Sequence, residues 1–326
     1  MRILSSKHVS RLLTKKRAIK IIENQMVAVS NGECTLPLRN VLDIGNNNKF
    51  GVMPGALGSG KPYGAKILSL FPKNPTQGLS SHIGLMVLFD PKTGIPIAAI
   101  NADALTAIRT AAASAVATKY LARKNAASLT IIGTGEQAEH HIECIPMVRT
   151  IKKINLVGTS KKKAAVLANK MIKKFPSVNF DLFEKENSWL PESDIVCTVT
   201  SSKDPIIFAE SVSAGTHINA IGASIPTHQE IDLSLVLKAR IFVDYKPSIL
   251  SQAKEIITAL KKNVIKDASA LTEIGNVIQK VHDGRLNKNE ITMYRSMGIA
   301  AQDLSVASYI VEKAYKNNVG IEAPIL

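Results

Sequence analysis

Three basic residues stand where the sequence gives them little company. Arg39 lies in CTLPLRNVL, Lys66 inside the apolar stretch YGAKILSLFP, and Arg109 interrupts ADALTAIRTAAASAVA, a run of small, apolar residues. A cation that is buried or faces a cleft needs a counter-charge, because desolvating it alone is costly. The flanking segments are poor in carboxylates. A bound carboxylate would meet that need, with Arg39 and Arg109 able to grip it through paired hydrogen bonds. Each residue also has a plainer reading: Arg39 as an exposed edge residue, Lys66 reaching from a strand toward solvent, and Arg109 as a structural bridge to Asp103 or an unseen acid.

The second chemical signature is Gly133-Thr134-Gly135-Glu136-Gln137-Ala138, which follows an apolar strand and opens a helix. Gly133 would permit the tight reversal, Gly135 the close approach of a pyrophosphate, and Ala138 close helix-to-strand packing. The free N–H groups at the helix start then face the phosphates. The alternative is a glycine-rich turn in an ordinary doubly wound sheet. Where a dinucleotide fold usually ends its second strand with an acid, this chain reads Gly158-Thr159-Ser160-Lys161. Hydroxyl and ammonium groups there favour NADP(H), with NAD(H) as the alternative, through bonds to a 2'-phosphate; Ser160 could instead simply cap a helix. Thr200 and Ser201 follow a later strand at the same sheet edge, where they line the cofactor crevice or satisfy local backbone groups.

Other chemistries find no support. There is no HExxH and no His/Cys cluster, so no metal site is expected, and no Gly-x-Ser-x-Gly for a hydrolase nucleophile. His82 reads as a site or loop residue, His140 and His141 as surface residues of the helix after the glycine turn. The net charge of +15 comes from scattered lysines and arginines at only 5% aromatic content, which argues against a nucleic-acid partner. Cys34, Cys144 and Cys197 are widely spaced and read as buried thiols in a reducing compartment. No apolar run approaches the roughly 20 residues of a membrane span, and no leader pattern is seen, so a cytoplasmic protein is expected.

These residues need a scaffold, and the chain's periodicity supplies one. From about 118 to 300, short apolar strands at Ala127–Ile132, Lys153–Val157, Val178–Phe183, Asp194–Thr198, Thr216–Ile221 and Ala239–Val243 recur between helical stretches. That rhythm predicts an α/β fold with a Rossmann-type, doubly wound parallel sheet. Residues 1–117 differ: a helix over Thr14–Ala28, then strands at Tyr63–Ser69, Ile83–Phe89 and Pro96–Asn101 broken by FPKNPTQG and DPKTG. They predict an α+β domain with a mixed or antiparallel sheet, a helix over Ala104–Ala122 that bridges to the nucleotide unit, and a late helix over Ala300–Asn317 that packs back on the first domain.

In its long motifs the chain resembles the ornithine cyclodeaminase/mu-crystallin family. The resemblance runs through LPLR (36–39), GAKILSLFPKN (64–74), HIGLMVLFDPKTGIPIA (82–98), LTAIRTAAASAVATKYLAR (105–123), IIGTGEQA (131–138), IGASIPTHQEID (221–232) and AQDLSVASYIVEKA (301–314). It implies a homodimer whose first domain, residues 1–117 completed by 301–326, carries substrate binding and dimerisation; Arg39 and Arg109 hold the substrate carboxylate, Lys66 binds near it and assists proton transfer, and the nicotinamide lies between the domains. Thr110, beside Arg109, is assigned to the cofactor. Asp303 in the late helix is assigned to orienting cofactor or substrate, a helix-start charge or structural pair being the alternative. Ornithine cyclodeaminases carry an aspartate where this chain has Ser224, which is neutral and cannot act as that base. The resemblance therefore leans toward reduction of an imine or ketimine carboxylate to an amino acid. Alanine-type dehydrogenation, ornithine cyclodeamination and a non-catalytic ligand-binding role remain as alternatives.

Overall fold

The computed structural model describes residues 1–184, 190 and 192–324. The chain divides into two compact units, residues 1–109 with 299–326, and residues 110–298.

The first unit opens with β1 (Arg2–Leu4), α1 (Ser6–Leu12) and α2 (Lys15–Ser30). α2 starts where the Thr14 side chain accepts from the Arg17 N–H, and it buries Ile19, Ile22, Met26 and Val29 at helical spacing. Next come β2 (Asn40–Asp43), β3 (Lys49–Ala56), β4 (Tyr63–Leu70), β5 (His82–Phe89) and β6 (Pro96–Asn101). Strands β2 to β6 pair antiparallel in sequence order, while β1 adds parallel to β6, so the sheet is mixed. Pleating puts Met53, Lys66, Met86 and Ile100 in one cross-strand row on the buried face. Val52, Ile67 and Leu85 form the row on the opposite face, where Leu85 is 51% exposed. α3 (Ala102–Leu121) follows, and the boundary between the units falls within it, after Arg109.

The second unit is a fully parallel sheet. Its elements are β7 (Ser128–Ile132), α4 (Glu136–Cys144), β8 (Lys153–Gly158), α5 (Lys161–Ile172), β9 (Asn179–Glu184), β10 (Ile195–Thr198), β11 (His217–Ala220), α6 (Leu233–Lys238), β12 (Arg240–Val243), α7 (Lys246–Gln252), α8 (Lys254–Lys261), β13 (Leu271–Glu273), α9 (Ile274–Ile278) and β14 (Thr292–Arg295). The strand order is β13-β12-β14-β11-β10-β7-β8-β9. From β7 the chain steps outward to β8 and β9, then returns to place β10 on the other side of β7. The β7/β10 junction is thus the point at which the direction of winding reverses, the place where open sheets bind ligands. The core is aliphatic, with Ile207, Ile218, Leu235, Val243, Ile249 and Ile256 among its fully buried members. Each contributes about 1.5–3 kcal/mol by leaving water.

The expected strands occur within a residue or two of their predicted ends; β1, β2, β3, β13 and β15 are additions, and so is β14. It inserts between β11 and β12 although its sequence, TMYR, is short and carries an arginine. Arg295 is tolerated there because it pairs with Glu255 and donates to the Ala223 and Ala220 carbonyls.

The chain then returns to the first unit with α10 (Ala300–Lys316) and β15 (Ile321–Glu322). α10 packs on α2 and across β3, β4 and β5. Gly55 on β3 permits this approach, since a Cβ there would lie 2.9 Å from that of Ala300. Among the described residues no helix is long and apolar enough to cross a membrane, and no group of three or more His, Cys, Asp or Glu side chains is set to hold a metal.

Candidate active site

In the first unit, β4, α3 and α10 bring together three of the residues singled out in the sequence. Lys66 projects from the buried face of β4 and is 4% exposed, with its Nζ 2.8 Å from Asp303 Oδ2 and 3.4 Å from Thr106 Oγ1. Arg109 on α3 donates from Nε to Asp303 Oδ1 at 2.8 Å and from Nη1 to Gln302 Oε1 at 3.0 Å. Asp303, in the first turn of α10, has no exposure at all. It is the counter-charge that the neighbourhoods of Lys66 and Arg109 lack, supplied from 194 positions beyond Arg109.

The electrostatics are lopsided. Burial would raise the Asp303 carboxyl, but Arg109 and Lys66 outweigh it and hold the group below its ordinary range. Burial pushes the Lys66 ammonium down to about 8; Asp303 opposes that shift, while Arg109 and Arg39 add to it. Arg39, half-buried ahead of β2, therefore belongs to the same charge cluster. Among the described residues, one carboxylate, Asp303, is shared by the two buried cations Lys66 and Arg109, and that pairing leaves a positive surplus. Such a place attracts an anion of one or two charges.

In the second unit the glycine turn links β7 to α4. Gly133 has φ +117°, and a Cβ on it would lie 2.8 Å from the Val199 carbonyl oxygen, so both the backbone angle and the neighbouring strand exit require glycine. Gly135 is the residue that begins α4, and it provides no side-chain cap. A Cβ on Gly135 would meet nothing within 4 Å, so the space in front of the helix's free N–H groups is open. Ala138 is fully buried, and Thr134 Cγ2 lies 2.9 Å from where a Gly158 Cβ would be, so the turn is seated tightly on β8. Gln137 Oε1 is buried without a hydrogen-bond partner among the described residues. A bare helix start behind an open, glycine-walled space fits a dinucleotide pyrophosphate.

Thr159, Ser160 and Lys161 stand at the end of β8, Thr200 and Ser201 after β10, and Ser224 after β11, all on the C-terminal edge of the sheet. Thr110 opens the second unit and is 8% exposed. His82 contacts the Ser81 hydroxyl through Nδ1 at 3.0 Å. His141 is not the surface residue expected. It is fully buried, its Nδ1 bonded to the Gln137 carbonyl and its Nε2 to Ser114 Oγ, and burial pushes it down to about 4.

Sequence reasoning passed over Glu230, which lies in the quoted IGASIPTHQEID motif. It is 2% exposed, and its carboxylate accepts from Thr198 Oγ1 (2.8 Å), Thr200 N (2.8 Å), Thr200 Oγ1 (2.6 Å), Gly222 N (2.8 Å) and Ala223 N (3.2 Å). Its only signal in the sequence is a lone acid close behind a Gly-Ala turn, and that does not identify its partners.

The chain matches the ornithine cyclodeaminase/mu-crystallin family over residues 1–318. It is 33% identical to the Delta(1)-pyrroline-2-carboxylate reductase of Bacillus cereus over 322 residues, 98% of each chain. The structure of the Thermococcus litoralis Delta(1)-pyrroline-2-carboxylate reductase, in complex with NADH and L-proline, superposes with a TM-score of 0.93 at 33% identity, covering 99% of this chain and 100% of that one. An archaeal alanine dehydrogenase dimer with bound NAD follows at 0.91 and 32%, covering 100% and 99%.

These structures overturn the expected preference for NADP(H), since they hold NADH and NAD. The end of β8 explains why the hydroxyl and lysine pattern misled. The Ser160 side chain accepts from Lys163 N at 3.4 Å and caps α5. Glu184, paired with Gly158 in the strand register, puts its carboxylate 3.4 Å from Lys161 N. The third strand thus brings a carboxylate to this turn, and its negative charge offsets the lysines there. In motif content and in similarity the chain lies nearer to these reductase and dehydrogenase members than to a true ornithine cyclodeaminase. With its fold and its motifs matched end to end, the chain belongs to the ornithine cyclodeaminase/mu-crystallin family.

Proposed function

We propose that the protein is an NAD(H)-dependent oxidoreductase that reduces the C=N bond of an imine or ketimine carboxylate to give an amino acid. The observation that carries this reading is the buried Asp303 carboxylate bonded to both Lys66 and Arg109, with the charge of Arg39 acting on Lys66. Asp303 orients Lys66 and Arg109 while leaving net positive charge for a substrate acid. Arg109 turns Nε and Nη1 to α10, so its Nη2 amino group and the Arg39 guanidinium take the substrate carboxylate. Lys66, held by Asp303, gives a proton to the imine nitrogen. Bound NADH supplies the hydride for the imine carbon, and the Gly133–Ala138 turn with the open start of α4 holds its pyrophosphate. One hydride at carbon and one proton at nitrogen convert C=N to CH–NH. Thr110, Thr159, Ser160, Lys161, Thr200 and Ser201 line the remaining cofactor surface, and Ser224 the substrate.

Purified protein supplied with NADH and Delta(1)-pyrroline-2-carboxylate should form proline with equimolar NADH oxidation. Failure to turn over any cyclic or acyclic imino acid, while NADH still binds, would overturn the assignment. Similarity to an alanine dehydrogenase supports a second reading, in which the imine arises from a 2-keto acid and ammonia. Faster turnover of pyruvate plus ammonia than of the preformed cyclic imine would select it.

The protein acts as a homodimer in this reading, as the similar alanine dehydrogenase is a dimer. Leu42, Ile83 and Leu85 lie on the open face of the first unit's sheet with their side chains 44–54% exposed, and exposed apolar groups on one face mark a contact surface. Leu85→Lys should shift the protein to monomer in analytical ultracentrifugation and lower its melting temperature by the stabilisation that association supplies. A persistent dimer would discard this face as the interface. A cytoplasmic location accords with the free thiols of Cys34, Cys144 and Cys197.

A further inference from the structure

We propose that Glu230 is the positioning residue for the nicotinamide half of the dinucleotide, an inference that rests on the NAD(H) reading above. The strand order sets the stage. With the pyrophosphate at the start of α4 beyond β7, one half of a dinucleotide runs over the ends of β8 and β9 and the other over those of β10 and β11. Glu184 and the Gly158–Lys161 turn occupy the first side. On the second side, the segments leaving β10 and β11 are both tied to one side chain.

Glu230 Oε1 accepts from Thr200 N and Thr200 Oγ1, and Oε2 accepts from Thr198 Oγ1, Gly222 N and Ala223 N. The Glu230 backbone is itself fixed, because its carbonyl accepts from Ile206 N at 2.8 Å and Ile207 N at 3.1 Å. A Cβ on Gly222 would lie 2.1 Å from Thr200 O and 2.5 Å from Glu230 Oε1, so the two strand exits meet around the carboxylate with no slack.

This arrangement does more than brace two loops. The amides of Thr200, Gly222 and Ala223 all point inward at Glu230, and so does the Thr200 hydroxyl hydrogen. Thr200 Oγ1 also accepts from Ser202 N at 3.1 Å, so it can meet a ligand only as an acceptor, through its remaining lone pair. The edge is stripped of these donors, which suits the carboxamide N–H donors of a nicotinamide and disfavours a phosphate. It also leaves the dinucleotide one register, with the phosphates on α4 and the donor-rich end on β10 and β11. Glu230 touches neither ligand nor reacting atoms; it acts through Thr200 and through the turn that leads to Ser224.

Glu230→Gln keeps the size of the side chain but turns a donor toward donors. In fluorescence titrations it should raise the Kd for NADH at least tenfold while leaving the Kd for ADP-ribose, which lacks the nicotinamide, within twofold. Asp194→Asn serves as the matched control. Asp194 accepts from Ala127 N, Ser128 N and Ser128 Oγ at the other end of the same sheet, so its loss damages packing without reaching this edge, and NADH affinity should stay within twofold. If Glu230→Gln does not fold, Thr198→Val, which removes only the 2.8 Å hydroxyl bond to Oε2, decides with a twofold to fivefold loss of NADH affinity and no change for ADP-ribose. Equal losses for NADH and ADP-ribose, or no loss for NADH, would overturn the inference while leaving NAD(H) binding intact. Wild-type protein that binds neither NADH nor ADP-ribose would instead remove the cofactor reading itself.

Discussion

Lys66→Met will fold, bind NADH as the wild type does, and lose about 10²–10⁴-fold in kcat for imine reduction, the contribution expected of a positioned proton donor. The substitution is sterically mild, because Lys66 is 4% exposed in a row with Met53 and Met86. Asp303 keeps the Arg109 bond to Oδ1 but loses the cation at Oδ2, so the variant should have a lower Tm than the wild type. Lys66→Arg separates charge from proton transfer: the guanidinium keeps the cation but does not release a proton near neutrality, so substrate binding should persist while turnover stays low. The wild-type pH profile must agree. With Lys66 near 8, reduction needs its protonated form, and kcat/KM should fall tenfold per pH unit above 8. Amino-acid oxidation needs the neutral amine and should rise over the same interval. A Met variant within threefold of wild type, or profiles that run the same way in both directions, would remove Lys66 from the chemistry.

How much of this was legible depended on whether a residue's role was local. The glycine turn could be read because its requirements, a positive φ at Gly133 and bare backbone at Gly135, are properties of those residues themselves. The buried strands of the second unit could be read because a sheet covered on both faces leaves continuous apolar runs. Lys66 and Arg109 stood out as charges in apolar surroundings, yet their common partner could not be chosen from sequence, because α10 returns from the far end of the chain to supply Asp303. The same limit hid β14, whose Arg295 is acceptable in a central strand only because Glu255 meets it. Glu230 was hidden because every group it binds is a backbone amide or a threonine hydroxyl, and neither marks a sequence. At the end of β8 the local reading actively misled: the hydroxyls and lysines were visible, but Glu184 arrives from the adjacent strand and offsets the lysines.

The second large effect separates the two glycines of the turn. Gly135→Val should leave stability almost untouched, because its φ of −84° and ψ of −172° suit a β-branched residue and nothing lies within 4 Å of the added Cβ. Such a change sits within about 0.5 kcal/mol, or about 2 °C in Tm. The new methyls would, however, fill the space ahead of the α4 N–H groups. A bond from an amide to a charged oxygen is worth about 1.5–3 kcal/mol, so losing one or two of them should weaken NADH about 10²-fold or more. Gly133→Ala should behave in the opposite way. At φ +117°, with its Cβ 2.8 Å from Val199 O, it costs about 1–3 kcal/mol of backbone strain before any ligand arrives, and its Tm should drop by several degrees. Loss of NADH affinity without loss of Tm at Gly135, set against loss of Tm at Gly133, is the pattern that a phosphate-approach residue and a chain-reversal residue must give. If Gly135→Val bound NADH normally, the pyrophosphate would have to lie elsewhere than over α4, and the polarity assigned to the strand ends of β8 to β11 would fall with it.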